Sequence, residues 1–447
     1  MSERRGNVLQ ASILRLVRRG AWSNAGKLLE KSHPGDIAEV LDHLTPGPRR
    51  ALFDLLRSDE LRAEALAMLE FAAGADLLGE LDPERAGRIV RQMSSDDASV
   101  LLRELPRERA DAILATLGEA SEDVERLLGH AEDTAGALMS PDYFALEQDL
   151  SVEEAIERLR TSGEREASFY VYLVDERHNL VGVLSLRQLL MHDPHQRLSR
   201  FMTVDPIRVT TGADQEEVSR IVSRYDLLAV PVVDASNRLV GVVTVDDVID
   251  VMREEATEDL LKLAGTTLEE VTSPGPLRAA WIRFPWLAVS FAGGLAGIWL
   301  LSRFEPVMQK MLQISFFLPA VLAMGGNVGS QCAMVVVRGL ATGRLNVGEL
   351  GRIVSNELGV GLLLALAFSL ALFGAGTWMG FGSEKLPQVV AMGLFSSMVL
   401  AAALGTLLPL GFNRLGVDPA VASGPLVTMT IDILGIGVFF SIAYTVL

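Results

Sequence analysis

Five long stretches with almost no charged residues follow residue 280 and dominate the hydrophobic pattern of this chain. Each is about as long as the ~20 apolar residues that a helix needs to cross a bilayer. A backbone inside hydrocarbon must satisfy its own hydrogen bonds, which only a helix does within one segment. The sequence therefore predicts a five-helix transmembrane domain over residues 276–447, with spans at Phe284–Ser302, Met311–Val337, Leu358–Ser383, Leu386–Asn413 and Pro419–Leu447.

The pattern before residue 131 predicts short helices, with few runs of β-branched residues. One phrase recurs, in which Leu and Pro precede an Arg-Ala pair, and its copies begin at Leu44, Leu81 and Leu105. Proline fits the first turn of a helix, so each copy indicates a helix start. Repeated short helices of this kind stack on one another. We therefore expect an α-helical, superhelical N domain over residues 1–133.

Residues 139–250 contain an internal repeat. Val181–Ser185 (VGVLS) in the first copy matches Val240–Thr244 (VGVVT) in the second, and apolar strands precede them at Phe169–Val174 and Ala229–Val233. Each copy reads as helix, strand, strand, helix. This segment resembles a tandem pair of cystathionine-β-synthase (CBS) domains, an α/β module, here at residues 134–198 and 199–250.

The resemblance to CBS pairs implies a regulatory sensor that binds an adenine nucleotide, with ATP as the expected ligand. No glycine-rich phosphate loop supports this ligand independently. By their positions in the repeat, the implied nucleotide-binding residues are Ser185, Arg187, Thr244, Asp246 and Asp247.

Charge is distributed unevenly. The chain has a net charge of −17, whereas residues 1–278 carry 51 acidic and 32 basic residues, a net charge of −19. Such an acidic region repels nucleic acid and anionic lipid, so neither is expected to bind it, while cations are attracted. The one cysteine, Cys332, excludes an internal disulfide and a multi-cysteine metal site. Residues 1–20 are charged and lack the apolar core of a signal peptide, so we expect this end to stay in the cytosol.

Basic residues near the spans predict the orientation. Those expected on the cytosolic side are Arg278, Arg283, Arg338, Arg344, Arg352 and Arg414, and those on the opposite side are Arg303, Lys310 and Lys385. The sequence thus predicts a multi-pass protein of the bacterial inner membrane, with its N-terminus in the cytosol and its C-terminus outside.

Asp432 lies in the last predicted span, with no charged residue expected at comparable depth in another span. An ionised carboxylate there costs roughly 2.5–3.5 kcal/mol. A cation pathway explains it, and a structural hydrogen bond is the alternative. Ser423, Thr428 and Thr430 add oxygen atoms of the kind that a hard cation such as Mg²⁺ prefers. Pro425 is expected inside this span, where it would free a backbone carbonyl.

The second span contains Pro319 and the segment Gly325–Gln331 (GGNVGSQ). Asn and Gln at membrane depth need partners, so the segment either lines a pore or serves helix packing through its glycines. The spans contain no His and only one Cys, so a nucleophile with its base is hard to build and no enzymatic role is expected.

An acidic helix joins the repeat to the first span, with a connecting segment expected over residues 251–275. Its carboxylates recur at three and four residues and share a face, where like charges repel unless cations screen them. This helix is either a gating lever or a solvated acidic linker. The residues concerned are Asp246, Asp247, Asp250, Glu254, Glu255, Glu258 and Asp259.

The order of these parts resembles the MgtE family of magnesium transporters. The most specific matches are Pro319 with Gly325–Gln331, and Asp418-Pro419-Ala420 with Ser423-Gly424-Pro425 and Asp432. The resemblance implies a homodimer with one pore at its two-fold axis, lined by the second and fifth spans. Asp432, the Thr428 carbonyl and Asn327 would hold the ion in the pore.

The same resemblance implies that the acidic helix 246–264 is a plug, and that cytosolic Mg²⁺ closes the pore to Mg²⁺ import. Val100 stands one turn after Asp96, where a second acid is expected, and this weakens the N-domain contribution. A carrier for Mn²⁺ or Co²⁺ and a membrane-tethered CBS nucleotide sensor stay open as alternatives. The implied regulatory ligands are Glu64, Asp96, Asp214, Glu216, Asp226, Asp247, Asp250, Glu255, Glu258, Asp259 and Asp418.

Overall fold

The computed structural model describes residues 11–17, 19–161, 169–267, 270, 275–341, 350–380, 385–420 and 424–446. Arg344, Ser423 and Leu447, which enter the expectations above, lie outside these ranges. The chain divides into two compact units, Met1–Met252 and Arg253–Leu447.

The first unit begins with short helices in which each helix packs on the next but one along the chain. Proline is the first residue of the helices that begin at Pro46 and Pro83, which confirms the helix starts predicted from two copies of the recurring phrase; in the third copy, Pro106 immediately precedes the helix that begins at Arg107. The prediction of a stacked helical N domain is therefore confirmed. The helices are α1 (Trp22–Leu29), α2 (Pro34–Asp42), α3 (Pro46–Asp54), α4 (Asp59–Ala67), α5 (Phe71–Glu80), α6 (Pro83–Val90), α7 (Ser95–Arg103), α8 (Arg107–Leu117) and α9 (Ser121–Leu128).

Two small sheets follow, as expected for a CBS pair. The first has the order β1-β2-β3-β4 and the second β5-β6-β7. The strand β2 pairs antiparallel with β3 in the first sheet, and β6 pairs antiparallel with β7 in the second. Apolar side chains from both sheets form one core. The elements are α10 (Ala135–Leu138), β1 (Ala145–Glu147), α11 (Val152–Thr161), β2 (Tyr170–Val174), β3 (Leu180–Ser185), α12 (Leu186–Met191), β4 (Thr203–Val204), β5 (Val209–Thr210), α13 (Gln215–Tyr225), β6 (Ala229–Val233) and β7 (Leu239–Thr244).

One continuous helix, Val245–Leu263, follows β7 and is called the connecting helix below. Thr244 precedes it and donates its hydroxyl to the Asp247 carboxylate, which stabilises the first turn. The helix begins in the first unit and ends in the second.

The second unit contains five helices long and apolar enough to cross a membrane, as predicted. The fourth is central and packs on the second, third and fifth, while the first packs on the fifth. A short helix, Glu305–Lys310, and a 3-10 turn, Leu312–Phe317, separate the first span from the helical part of the second, Leu318–Ala341. The spans are Pro276–Ser302, Leu312–Leu340, Gly351–Met379, Leu386–Arg414 and Pro425–Val446.

Two sequence-based expectations about the spans are wrong. The helix of the third span begins before the expected Leu358, so it includes Glu357, which is only 8% exposed. Pro425 is the first residue of the fifth span and does not interrupt it. Proline is tolerated there because the first amides of a helix have no intrahelical partner.

Candidate functional site

A cavity of about 640 Å³ lies between the first, second and fifth spans. Its lining is mostly apolar, with glycines from the first span and Leu and Met side chains from the second. The end of the connecting helix contributes Leu263 and Ala264. The polar residues that line it are Ser290, Ser330, Thr428 and Asp432.

Asp432 is half-buried at the wall of this cavity, about 10 Å along the fifth span from Pro425 at 1.5 Å per residue. The Thr428 and Thr430 hydroxyls donate to carbonyls one turn earlier, at 3.4 and 2.8 Å, so neither is aimed at the carboxylate. The Thr428 carbonyl belongs to the helix ladder and keeps one lone pair for a further donor or cation. An acid in such surroundings requires water or a cation.

The second span contributes less to the cavity than its sequence predicted. Ser330 lines it, but Asn327 is exposed on another face of the helix and is not among the lining residues. Gly329 permits close packing: a Cβ on it would overlap Ile431, and a Cβ on Gly405 of the fourth span would lie 2.2 Å from the Gly329 carbonyl oxygen. Helix packing thus explains Gly329, whereas Gly325 and Gly326 have room for a Cβ and the role of Asn327 stays a prediction.

The end of the connecting helix packs on the start of the fifth span and lines part of the cavity. A Cβ on Gly424 would lie 2.9 Å from the Leu263 carbonyl oxygen, and one on Gly265 would lie 3.2 Å from Pro425. Glycine at both positions therefore permits backbone contact. The negative C-terminal end of one helix meets the positive N-terminal end of the other, which favours this contact.

Lys262 links the connecting helix to the loop before the fifth span. Its Nζ lies 2.6 Å from Glu258 Oε1 and 2.8 Å from Asp418 Oδ2. Burial alone lowers the pKa of Lys262, but the hydrogen bonds to these two carboxylates outweigh it and raise that pKa. Burial and the neighbouring Asp418 raise the pKa of Asp259. Three predicted metal ligands thus surround a lysine that the sequence analysis did not single out.

A second carboxylate cluster joins the first turn of α7 to the first turns of the connecting helix, all within the first unit. Burial raises the pKa of Asp97 to about 6, and Asp96, Asp246 and Asp250 act in the same direction. Burial and the charge of Asp96 raise the pKa of Asp247 to about 7 against the hydrogen bond from Thr244. These five carboxylates repel one another, as like charges in a shared low-dielectric site do.

Asp97 was missed by sequence reasoning. It follows Asp96 directly, and the Ser94 hydroxyl donates to its Oδ2 at 2.6 Å. Its carboxylate lies close enough to Asp246 and Asp250 for their charges to raise its pKa, so it belongs to this cluster, whereas Val100 adds no acid. Asp96 Oδ1 is buried and has no hydrogen-bond partner among the described residues. A carboxylate oxygen of this kind fits a hydrated Mg²⁺, which is commonly held through one or two carboxylates and its own waters.

The other predicted regulatory ligands are dispersed. Asp214 caps the start of α13 and Asp226 ends it, about 18 Å apart at 1.5 Å per residue, so the two do not share a site within one chain. Glu216 interacts weakly with Arg220, at 3.9 Å, and Glu64 is exposed on α4. Within the described ranges, no three His, Cys, Asp or Glu side chains converge closely enough to enclose an ion.

The predicted nucleotide-binding residues have structural roles in the chain itself. Ser185 and Gln188 form a capping box at the start of α12, and at the start of the connecting helix the Thr244 backbone N–H and hydroxyl both donate to the Asp247 carboxylate. Arg187 and Asp246 are exposed. The repeated Ser/Thr position is therefore explained by helix capping, and nucleotide binding stays a prediction.

Comparison with known proteins gives matches to three family models that together cover most of the chain. Residues 318–442 match the divalent cation transporter model of MgtE, residues 32–133 its intracellular N domain, and residues 135–194 and 198–254 the CBS domain. The magnesium transporter MgtE of Thermus thermophilus is 36% identical, over 94% of this chain and 97% of that protein. The magnesium transporter MgtE of Bacillus subtilis is 34% identical, over 93% and 95%.

Solved structures agree over the cytosolic part. The soluble part of a magnesium transporter aligns with a TM-score of 0.50 at 30% identity, covering 56% of this chain and 99% of that one. The cytosolic domain of the Mg²⁺ channel MgtE in complex with ATP aligns with a TM-score of 0.50 at 36% identity, covering 54% and 99%.

Proposed function

Since the chain belongs to the MgtE family of divalent cation transporters, we propose that it carries Mg²⁺ across a membrane along the cavity that holds Asp432. The observation that carries this proposal is an acidic side chain at the wall of a cavity between apolar spans. Asp432 would attract the ion, and Ser330 and Thr428 would contact its water shell. Conduction requires that the ion be held weakly enough to leave, which suits outer-sphere contacts to one carboxylate per chain.

We infer that the working pathway needs two copies of the chain. Asn327 and Gln331 lie one turn apart on an exposed face of the second span. Amides facing lipid are costly, whereas a partner or a water-filled pore satisfies them. A homodimer with the second spans facing each other would place these amides beside the ion. Asn327 would then line the pore although it does not line the cavity of one chain.

The closed state is proposed to depend on the connecting helix. Its last residue, Leu263, lines the cavity, and its carboxylates Glu258 and Asp259 lie near Asp418. Without enough positive charge these groups repel, which favours withdrawal of the helix. Lys262 supplies one such charge, and cytosolic Mg²⁺ would supply the rest. A ligand shifts a gate only by its preference for one state, and bridging carboxylates of the closed state provides that preference.

The cytosolic cluster is proposed to sense the same ion. Asp96, Asp97, Asp247 and Asp250 would hold hydrated Mg²⁺ between the N domain and the CBS pair. The ion would supply the positive charge that removes their mutual repulsion. Asp214, Glu216, Asp226, Glu64 and Glu255 are proposed to contribute through contacts that one chain does not contain.

ATP is proposed as a second regulatory ligand of the CBS pair, because a related cytosolic domain is described in complex with it. In this chain Ser185, Arg187 and Thr244 would contact the nucleotide. Import into the cytosol across the bacterial inner membrane is part of the same proposal, and the basic flanks of the spans favour a cytosolic N-terminus.

Flux of Mg²⁺ into liposomes that contain the purified protein tests the proposal. We expect wild-type flux to fall as Mg²⁺ rises on the side of the cytosolic domains, and Asp432→Asn to lower flux at least 100-fold. Thr430→Val is the matched control, since this hydroxyl is satisfied within the helix and does not line the cavity. Flux of Mn²⁺ or Co²⁺ without Mg²⁺ would favour another cargo. No cation flux from a folded protein would favour the tethered nucleotide sensor.

A further inference from the structure

Glu270 lies between the connecting helix and the first span, and its carboxylate contacts both. Its Oε1 accepts hydrogen bonds from Arg283 of the first span, at 2.7 Å from Nε and also from Nη2. Its Oε2 accepts a hydrogen bond from the hydroxyl of Thr266, just after the end of the connecting helix. The Glu270 side chain is only 10% exposed. One nearly buried carboxylate therefore joins two segments, and the proposed ion pathway does not use it.

The turn that ends the connecting helix places Thr266 at this carboxylate. Gly265 has a φ of +76°, a left-handed conformation that glycine adopts without strain. The Gly265 amide donates to the Lys262 carbonyl at 3.0 Å, and the Thr266 amide donates to the Leu261 carbonyl at 2.9 Å. These two hydrogen bonds form a Schellman motif, which satisfies the last carbonyls of a helix. The turn fixes Thr266 relative to the helix, so a bond to Thr266 restrains the helix end itself.

Arg283 lies on the side of the first span that faces the cavity. One stripe of this helix, whose members recur at three and four residues, consists of Arg283, Trp286, Ser290, Gly293 and Gly297. The last three members line the cavity that holds Asp432. A Cβ on Gly265 would lie 3.8 Å from the Trp286 Cβ and 3.2 Å from Pro425. The end of the connecting helix therefore lies where this stripe meets the start of the fifth span.

The pair of Glu270 and Arg283 differs in charge from the site around Lys262. Hydrogen bonds from Arg283 and from the Thr266 hydroxyl hold the pKa of Glu270 at about 2, well below its usual range, so this pair stays ionised at neutral pH. Lys262 lies between two carboxylates, whereas Arg283 balances the charge of one. A divalent cation can take the place of Lys262, but no excess negative charge at Glu270 attracts one.

We propose that Glu270 is a positioning residue for ion transport: by binding Arg283 and Thr266, it fastens the end of the connecting helix to the first span. The helix end then stays at the cavity, which Leu263 and Ala264 line. The inference rests on the proposed function, since it takes this cavity as the ion pathway and the connecting helix as the gate. It adds an attachment of the gate that Mg²⁺ does not replace.

The first test measures Mg²⁺ flux into liposomes at saturating Mg²⁺ on the side of the cytosolic domains, where the wild type is closed most fully. Glu270→Ala is expected to raise this residual flux at least fivefold, because no carboxylate remains to fasten the helix end. Arg283→Ala should raise it as well. The double variant should be no worse than Glu270→Ala, because both changes remove one interaction. Lys262→Gln is the matched comparison, since saturating Mg²⁺ should close it.

Reversal of the charges separates this role from a merely structural one. Glu270→Arg combined with Arg283→Glu restores an ion pair, and the Thr266 hydroxyl can still take part because it both donates and accepts. We expect residual flux within twofold of wild type in this reversed variant. Arg414→Ala removes an exposed arginine at the end of the fourth span and should leave the residual flux unchanged.

A second readout does not depend on transport. Cys332→Ala removes the one cysteine of the chain and gives a background for new cysteines. In this background, Glu270→Cys with Arg283→Cys should be joined within one chain by a short bifunctional thiol reagent, as measured by peptide mass. Glu270→Cys with Arg303→Cys, at the other end of the first span, should not be joined. The cross-link should also lower the raised residual flux of the first pair to within twofold of wild type.

Folded Glu270→Ala protein with wild-type residual flux would overturn the inference. If that variant does not fold, the cysteine pair at 270 and 283 decides: absence of the cross-link, or a cross-link that leaves the residual flux raised, would equally overturn it. A wild type without cation flux would instead remove the proposed function. A cross-link at 270 and 283 but not at 270 and 303 would then still support the attachment of the helix end to the first span.

Discussion

Replacement of Lys262 by Gln should weaken the closed state in a way that cytosolic Mg²⁺ can restore. The Lys262 side chain is 24% exposed, and its partners Glu258 and Asp418 are both 38% exposed. Two unit charges 4 Å apart interact by roughly 4 kcal/mol at an effective dielectric constant near 20. Exposed pairs deliver far less, about 0.5–1 kcal/mol each after screening and side-chain ordering. The Lys262–Glu258 pair lies within the connecting helix, so only the Lys262–Asp418 pair stabilises this helix against the loop of Asp418, by about 0.5–1 kcal/mol.

At low Mg²⁺ on the cytosolic-domain side, this loss should raise the ratio of open to closed channels by about 2- to 5-fold, since 1.4 kcal/mol is tenfold. Single-channel or ensemble flux recordings in bilayers with chelated Mg²⁺ measure that ratio. High Mg²⁺ should close the variant again, because the ion replaces the missing positive charge.

Lys262→Arg should behave like wild type, and Lys310→Gln, an exposed lysine of the short helix, is the matched control. Equal open probability of wild type and Lys262→Gln at low Mg²⁺ would refute the reasoning.

Three further outcomes are expected. The metal-free carboxylate cluster has Asp97 and Asp247 with pKa values near 6 and 7, above the unfolded value, so the folded state binds more protons between about pH 4 and 7 and its stability falls as pH rises through this window. Mg²⁺ should therefore raise the melting temperature more at pH 8 than at pH 6. Asp97→Asn should reduce this difference between the two pH values, whereas Asp82→Asn, at an exposed position, should not. A rise in melting temperature with Mg²⁺ that does not depend on pH would contradict this prediction. Gly293→Leu should lower thermal stability and flux, because even a Cβ would overlap Met429, whereas Gly294→Ala, with open space around it, should not; equal melting of both variants would argue against this packing. Gln331→Cys in a Cys332→Ala background should form an intersubunit disulfide under mild oxidation in membranes, while the exposed Leu363→Cys should not, and absence of the Gln331 cross-link would weigh against facing second spans.

Local signals in the sequence predicted the architecture well. Long apolar runs specify spans because a helix in lipid satisfies its own backbone, whatever its neighbours are. The Val-Gly repeat and the prolines of the recurring phrase are also local, and the strands and the helices that begin at Pro46 and Pro83 agree with them. The connecting segment was expected over residues 251–275 and the acidic helix over 246–264, and one helix is found at Val245–Leu263.

The errors have one common cause, which is that partners distant in sequence decide what a charged residue does. Because the low hydropathy of a glutamate is typical of the end of a membrane helix, the third span was predicted to begin after Glu357, whereas its helix includes this residue. Pro425 was placed inside the fifth span because the start of that helix depends on the packing of Gly424 against the connecting helix.

The sequence by itself determined the number of spans, the tandem repeat and the acidic connecting helix, since each rests on a run of neighbouring residues. Only the tertiary structure decided that Lys262 lies beside Asp418, 156 residues away, that Asp97 lies among the carboxylates at the start of the connecting helix, and that Glu357 is buried. Charge and hydrogen-bonding energies depend on distance and burial, and both are set by helix packing that no local pattern encodes.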